Sequence, residues 1–285
     1  MRHLRHPGPV AATRVSAVAD RPVRLRFTLE PGDTVEEGIA KGFQAAGCRG
    51  GVAAFGSGRC DPFQFVMPAA SRDGVHVAWY SDLLAPEGPV DLDECVASVG
   101  ERDGKPFIHC HGRWRTADGM RMGHLLAPNC KVAEPIAVTG IGFKKATFRG
   151  IPDAETLFTL FEPQAVEVPT ESGAGALLVR VRPNVDICLA IESVCREHGI
   201  AEAGVFGIGS LNEVHFADGT WMHSHATELL VRRGRVVTVG AEPRASLDIA
   251  VVDIAGDIAT GEILRGDNPV CVTFELVIVP DATLR

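Results

Sequence analysis

The strongest constraint on this chain is that its pattern occurs twice. Leu178-Val179-Arg180-Val181-Arg182-Pro183-Asn184 echoes Phe27-Thr28-Leu29-Glu30-Pro31-Gly32. Each stretch leads into a helical pattern that a glycine stops: residues 35–46 end at Gly47, and residues 185–198 end at Gly199. Asp33 or Thr34 can cap the first helix, with Glu36 and Glu37 well placed in its opening turn. A glycine-rich strand then follows in both copies, Gly51-Val52-Ala53-Ala54-Phe55-Gly56-Ser57 and Gly204-Val205-Phe206-Gly207-Ile208-Gly209-Ser210. A shared order of elements implies two domains of one fold, and 285 residues is ample for two. The expected division is an N-terminal arm at 1–22, a first domain at 23–145, a linker at 146–175 and a second domain at 176–285. The linker should pack, because Leu157-Phe158-Thr159-Leu160-Phe161 is too apolar to hang in water.

The chemistry concentrates in the first copy. Phe107-Ile108-His109-Cys110-His111-Gly112-Arg113-Trp114 and Met122-Gly123-His124-Leu125-Leu126 flank the turn residues Thr116-Ala117-Asp118-Gly119, which reads as a β-hairpin. Strand alternation puts His109 and His111 on one face, about 6–7 Å apart at the backbone. A turn centred between Ala117 and Asp118 sets His111 opposite His124. Three neutral imidazoles converging from a rigid hairpin make an open metal site, with a fourth position left for water or substrate. Zinc is the first choice for such a donor set, with iron, nickel, cobalt and manganese as alternatives. Cys110 should face away from the ion.

His-x-His followed by Gly-His-Leu on the next strand resembles the metal-binding signature of the plants-and-prokaryotes-conserved (PPC, also PCC) domain family. The resemblance runs upstream through Leu29-Glu30-Pro31-Gly32-Asp33 and the glycine-rich strand, covers residues 24–143, and is weaker in the second copy. It implies an α+β fold, here two tandem copies of a mostly antiparallel β-sheet sandwich packed with helices. It also implies a trimer and a metal, usually zinc, held by the histidines. In the second copy His109, His111 and His124 are matched by Asp248, Ala250 and Glu262, so that site reads as retired.

Arg113, one pleat beyond His111, is placed to grip a substrate carboxylate by a two-pronged hydrogen bond. Glu134, just past the third ligand strand, is the first candidate for moving a proton, and Asp82 the second. Tyr80 is the only tyrosine and is either a substrate-facing hydroxyl or simple packing. His223-x-His225 repeats the two-residue spacing in the second copy but has no third partner in sequence. The glycine-rich strands lack a Gly-Lys-Ser ending, which removes a nucleotide-phosphate loop.

These readings point to a metal-dependent enzyme acting on a small carboxylate-bearing metabolite by hydrolysis, hydration or dehydration, or lyase chemistry. The alternative is a non-catalytic, metal-stabilised binding or assembly module. Net charge of −8 and a pI near 5.7 disfavour a nucleic-acid surface, and Arg232-Arg233-Gly234-Arg235 is the nearest basic cluster. No apolar run is long enough for a membrane span, and the N-terminus lacks a signal peptide's apolar core. The eight cysteines form no Cys-x-x-Cys pair and sit among apolar residues, as reduced thiols of a cytoplasmic protein would.

Overall fold

The computed structural model describes residues 3–167 and 175–283; the linker's Glu171-Ser172-Gly173-Ala174 lies outside them. Two large, mostly antiparallel sheets carry the fold, and two helices of 11 residues each accompany them. Helix α1 (Val35–Ala45) starts at Thr34, whose hydroxyl accepts from Glu37 N while the Glu37 carboxylate accepts from Thr34 N. Val35, Ile39 and Phe43 recur every four residues on its buried face, and burial of each is worth about 1.5–3 kcal/mol. Helix α2 (Ile187–Glu197) starts at Asp186, whose carboxylate accepts from Leu189 N. Gly47 and Gly199 end the two helices at φ +67° and +66°, where a side chain would be strained.

The two sheets share one strand order. In the first, Pro22–Leu29, Ile136–Phe143, Gly50–Phe55, Val90–Arg102, Lys105–Thr116 and Gly119–Leu125 lie side by side. In the second, the same places are taken by Ala176–Val181, Val270–Pro280, Ala203–Leu211, Thr227–Val239, Glu242–Asp253 and Ile258–Glu262. Val15–Asp20 adds an edge strand to the second sheet by pairing with Ala176–Val181. Ala146–Pro152 and Thr159–Ala165 form a hairpin whose first strand runs parallel to Val90–Arg102 on the first sheet.

Each helix covers the outer face of one sheet, and each pair has its own apolar core. The inner faces meet. Val52, Val96, Met122, Phe143 and Phe148 of the first half pack with Leu178, Ile208, Leu230, Val252 and Val277 of the second. The layers therefore run helix, sheet, sheet, helix, with helix a minor share of an otherwise β-rich protein. All eight cysteines are buried, and burial pushes the Cys60 and Cys195 thiols up to about 12.

The hairpin register confirms one expected pairing and corrects another. Thr116 pairs with Gly119 across Ala117-Asp118, so His124 lies opposite His111. In the second sheet Val239 pairs with Glu242, as Arg102 pairs with Lys105 in the first. Counting six residues from each turn puts Asp248 where His111 stands, and Asp248 pairs with Glu262 as His111 pairs with His124. His109 therefore corresponds to Ser246, not Asp248, and Ala250 corresponds to Arg113. A two-residue slip keeps every side chain on its face, so apolar alternation alone does not reveal it.

Candidate metal centre between the two sheets

His109, His111 and His124 project from the first sheet into the space between the sheets, and one ring nitrogen of each lies within 4.8 Å of the others. Their orientation comes from the second half. His111 Nδ1 is 2.9 Å from the Leu229 carbonyl oxygen, and His109 Nδ1 is 2.9 Å from Glu275 Oε2. A carbonyl oxygen only accepts, so His111 carries its proton on Nδ1; the Glu275 carboxylate fixes His109 the same way. The two Nε2 atoms face each other 3.1 Å apart, and when both rings are neutral their lone pairs point inward. Without a cation or a shared proton between them this approach is repulsive. Two metal–nitrogen bonds of 2.0–2.1 Å at a tetrahedral angle hold their nitrogens about 3.3 Å apart, so the spacing suits one ion.

The third ring adds a second unsatisfied group. His124 Nδ1 is buried without a hydrogen-bond partner. Burial pushes both His111 and His124 well below the ordinary histidine range, with neighbouring histidines adding to the effect, so both rings stay neutral as ligands must be. The donor set fits a divalent ion with an open position.

Glu228 stands over the cluster. Its side chain is 7% exposed, its Oε1 is 4.0 Å from both His111 Nε2 and His124 Nδ1, and its Oε2 has no partner. Burial pushes this carboxyl well above the usual carboxylate range. Tyr80, 39% exposed, sets its ring edge-on to His124 at 5.2 Å. A small pocket of about 60 Å³, partly open to solvent, leads from His109 and His111 past Glu228 and Tyr80. Trp79 and Phe158 also line it. Phe158 follows a turn anchored at Asp153. Burial opposes that carboxylate's charge, yet Arg180 and the Thr156 donors hold it down to about 2.

The structure brings the three histidines together with Tyr80 beside them, and sets Arg113, Glu134 and Asp82 apart. Arg113 meets Asp93 at 2.5 Å and Glu94, its cross-strand neighbour, at 3.3 Å. Glu134 is 57% exposed beside Arg59, and Asp82 pairs with Arg72 on the surface. None of the three lines the cavity. His223 is exposed beside Glu213 at 2.9 Å, away from the three-histidine group. Arg232 and Arg233 are tied to Asp248, and Arg235 to Asp281. Among the described residues no helix is long and apolar enough to cross a membrane.

Sequence reasoning missed Glu228 and Glu275. The available signal was a lone acid inside each of two apolar strands, Glu228-Leu229-Leu230-Val231 and Phe274-Glu275-Leu276-Val277. Such acids are seldom buried without a reason.

No curated protein matches this chain in sequence. Among solved structures, a plant- and prokaryote-conserved (PPC) protein from Pyrococcus horikoshii is 17% identical, with 54% of this chain and 97% of that one aligned at a TM-score of 0.40. A metal-containing protein from Archaeoglobus fulgidus is 16% identical over 51% of this chain and 95% of its own, at 0.38. A protein from Ralstonia eutropha, named for a DNA-binding role that its name leaves unproven, is 17% identical over 48% and 89%, at 0.35. The family model for the Plants and Prokaryotes Conserved (PCC) domain matches residues 169–280, the half that carries Glu228 and Glu275 rather than the histidines. Over that stretch the chain is similar to the PCC domain.

Proposed function

We propose that this chain is a metal-dependent protein in which His109, His111 and His124 hold one divalent ion, zinc by preference, at the joint between its halves. The observation that carries this reading is the pair of Nε2 atoms 3.1 Å apart, each with its lone pair inward when the rings are neutral, because Nδ1 is already committed. Bound there, a divalent ion supplies Lewis-acid polarisation and water activation. Hydrolysis, hydration or dehydration, and lyase chemistry on a small molecule that meets the ion through a carboxylate or carbonyl oxygen all suit such a centre. Glu228 takes the proton-handling place first given to Glu134, because it faces the cluster with an unpartnered oxygen, whereas Glu275 is committed to His109. In the same reading, residues 23–145 form a first PCC-like domain with residues 176–285 as its partner.

A second reading has the ion serving assembly alone. It draws on the hydrogen bonds from His109 to Glu275 and from His111 to Leu229, which tie the ligands of one sheet to the other. One experiment separates the two. Protein purified in metal-replete medium is assayed for metal content, then stripped with a chelator and melted. About one ion per chain, lost in His124→Ala with the fold intact, supports a functional centre. Unfolding on chelation supports the assembly role, and no retained metal in the wild type rejects both.

A further inference from the structure

The cavity's wall carries information about what enters it. Its outer part is aromatic and aliphatic: Trp79, Phe158, Leu160, Ala226 and Val272. His76, Trp79 and Phe158 form a collar with ring centroids 4.7–5.4 Å apart, and Trp79 remains 42% exposed at the rim. An aromatic collar with one ring exposed at the mouth of a pocket suits a ligand with an apolar body.

The polar lining is sparse and mostly spoken for. The Ser210 hydroxyl accepts from Val272 N, and the Thr227 hydroxyl donates to the Leu211 carbonyl. Two buried groups facing the cavity have an atom left over: Oε2 of Glu228 and Oγ1 of Thr273, whose residue is 4% exposed. Both come from the second half. No lysine or arginine lines the cavity. A ligand carboxylate that is not on the metal would therefore be buried without a cation and next to an acid, at a cost of several kcal/mol.

We infer that this site takes a small molecule with one metal-binding head, an apolar body that lies against Trp79 and Phe158, and at most one hydrogen-bonding group for Glu228 and Thr273, and that it rejects dicarboxylates and phosphates. This inference rests on the metal reading above and narrows the carboxylate-bearing class to monocarboxylates and their neutral analogues. The ion takes the single head, and the wall reads the rest.

The test uses the full chain loaded with Co2+, whose visible spectrum reports both the ion and any ligand added to it. Metal affinity is measured first, and phenylacetate, succinate and inorganic phosphate are then titrated separately. Phenylacetate should bind at least tenfold tighter than either of the others. Trp79→Ala should weaken phenylacetate about tenfold while metal affinity stays within twofold of wild type, and Thr273→Val should do less. Succinate or phosphate binding as tightly as phenylacetate overturns the inference, as does an unchanged phenylacetate affinity in Trp79→Ala. A chain that binds no Co2+ overturns the metal reading together with this one, so the two failures are told apart at the first step. The wild-type selectivity needs no variant to fold.

Discussion

The two hairpins, Lys105–Thr116 with Gly119–Leu125 and Glu242–Asp253 with Ile258–Glu262, occupy the same place in their sheets and share one register. In the first, His111 faces His124 and both turn toward Glu228 of the other half. In the second, Asp248 faces Glu262. Asp248 is taken up by Arg233 at 2.6 Å and Arg232 at 3.4 Å, and Arg232 reaches on to Glu94 of the first half at 3.2 Å. Glu94 in turn holds Arg113. One copy of the scaffold thus meets its neighbour through neutral nitrogens with free lone pairs, and the other through a chain of ion pairs. The fold supplies the position; the donor atoms and what faces them decide whether a cation is wanted there.

The largest test of this contrast is metal affinity. His111→Ala should lower it at least a hundredfold by calorimetric titration, whereas Asp248→Ala and Glu262→Ala should leave it within twofold. Equal losses from the two hairpins would mean that the second also binds an ion, and the contrast would fail. The next effect is Glu275→Gln, which keeps the shape but weakens the acceptor that fixes the His109 tautomer. Partners of this kind are worth about 10–100-fold in metal affinity. An unchanged affinity would show that His109 is oriented by its strand alone.

Much of this arrangement was legible in the sequence because it depends on local rules. The Ala117-Asp118 turn fixed the His111–His124 register, and Thr34 with Glu37 announced the start of the first helix. The repeat was legible as well, since Gly47 and Gly199 end helices that open two matching strand orders. What was hidden involves contacts between distant parts of the chain. Glu275 lies 166 residues from His109, and Leu229 118 from His111, and no periodicity links them. Arg113 looked free because strand alternation gives its face but not its opposite number, Glu94, one strand back. The two-residue error at Asp248 arose for a related reason: the slip preserved the apolar pattern, and only the Val239–Glu242 turn settles the count.

Acid should affect the two hairpins differently. Burial depresses His111 and His124, so in metal-free protein the unfolded chain binds protons that the native state refuses. Their contribution is present above the unfolded histidine value of about 6.5 and is lost as pH falls below it. Glu228 acts in the opposite sense. Its raised value favours the native state when it is protonated, and that advantage fades as pH rises past the ordinary carboxyl range. Urea midpoints of the chelated protein should therefore fall between pH 7 and 5.5, and the fall should shrink in His111→Gln. A Ser246→Ala variant in the second hairpin should keep the wild-type slope. If His111→Gln keeps it too, the acid sensitivity lies elsewhere.

The smallest expected effect compares the two helix starts. Thr34 is a cap whose bonds stay within its own first turn, and replacing such a residue by alanine costs about 1 kcal/mol. Asp186 is buried and does two things. One oxygen accepts from Leu189 N at 2.9 Å, and the other from Asn268 N at 2.8 Å, in the loop before the return strand. That loop is fixed further by the Asn268 side chain, which donates to the carbonyls of His215 and Leu264. Removing the Asp186 carboxylate leaves a donor without its partner as well as an uncapped helix, for about 2–3 kcal/mol in all. Denaturant midpoints of Thr34→Ala and Asp186→Ala, each also made as Asn, resolve the difference. Asparagine should restore most of the loss at 34 but only part of it at 186, since its amide offers one acceptor oxygen where the carboxylate uses two. Equal rescue at both positions would show that the second helix is held by its cap alone and that the loop is anchored by Asn268 without help from Asp186.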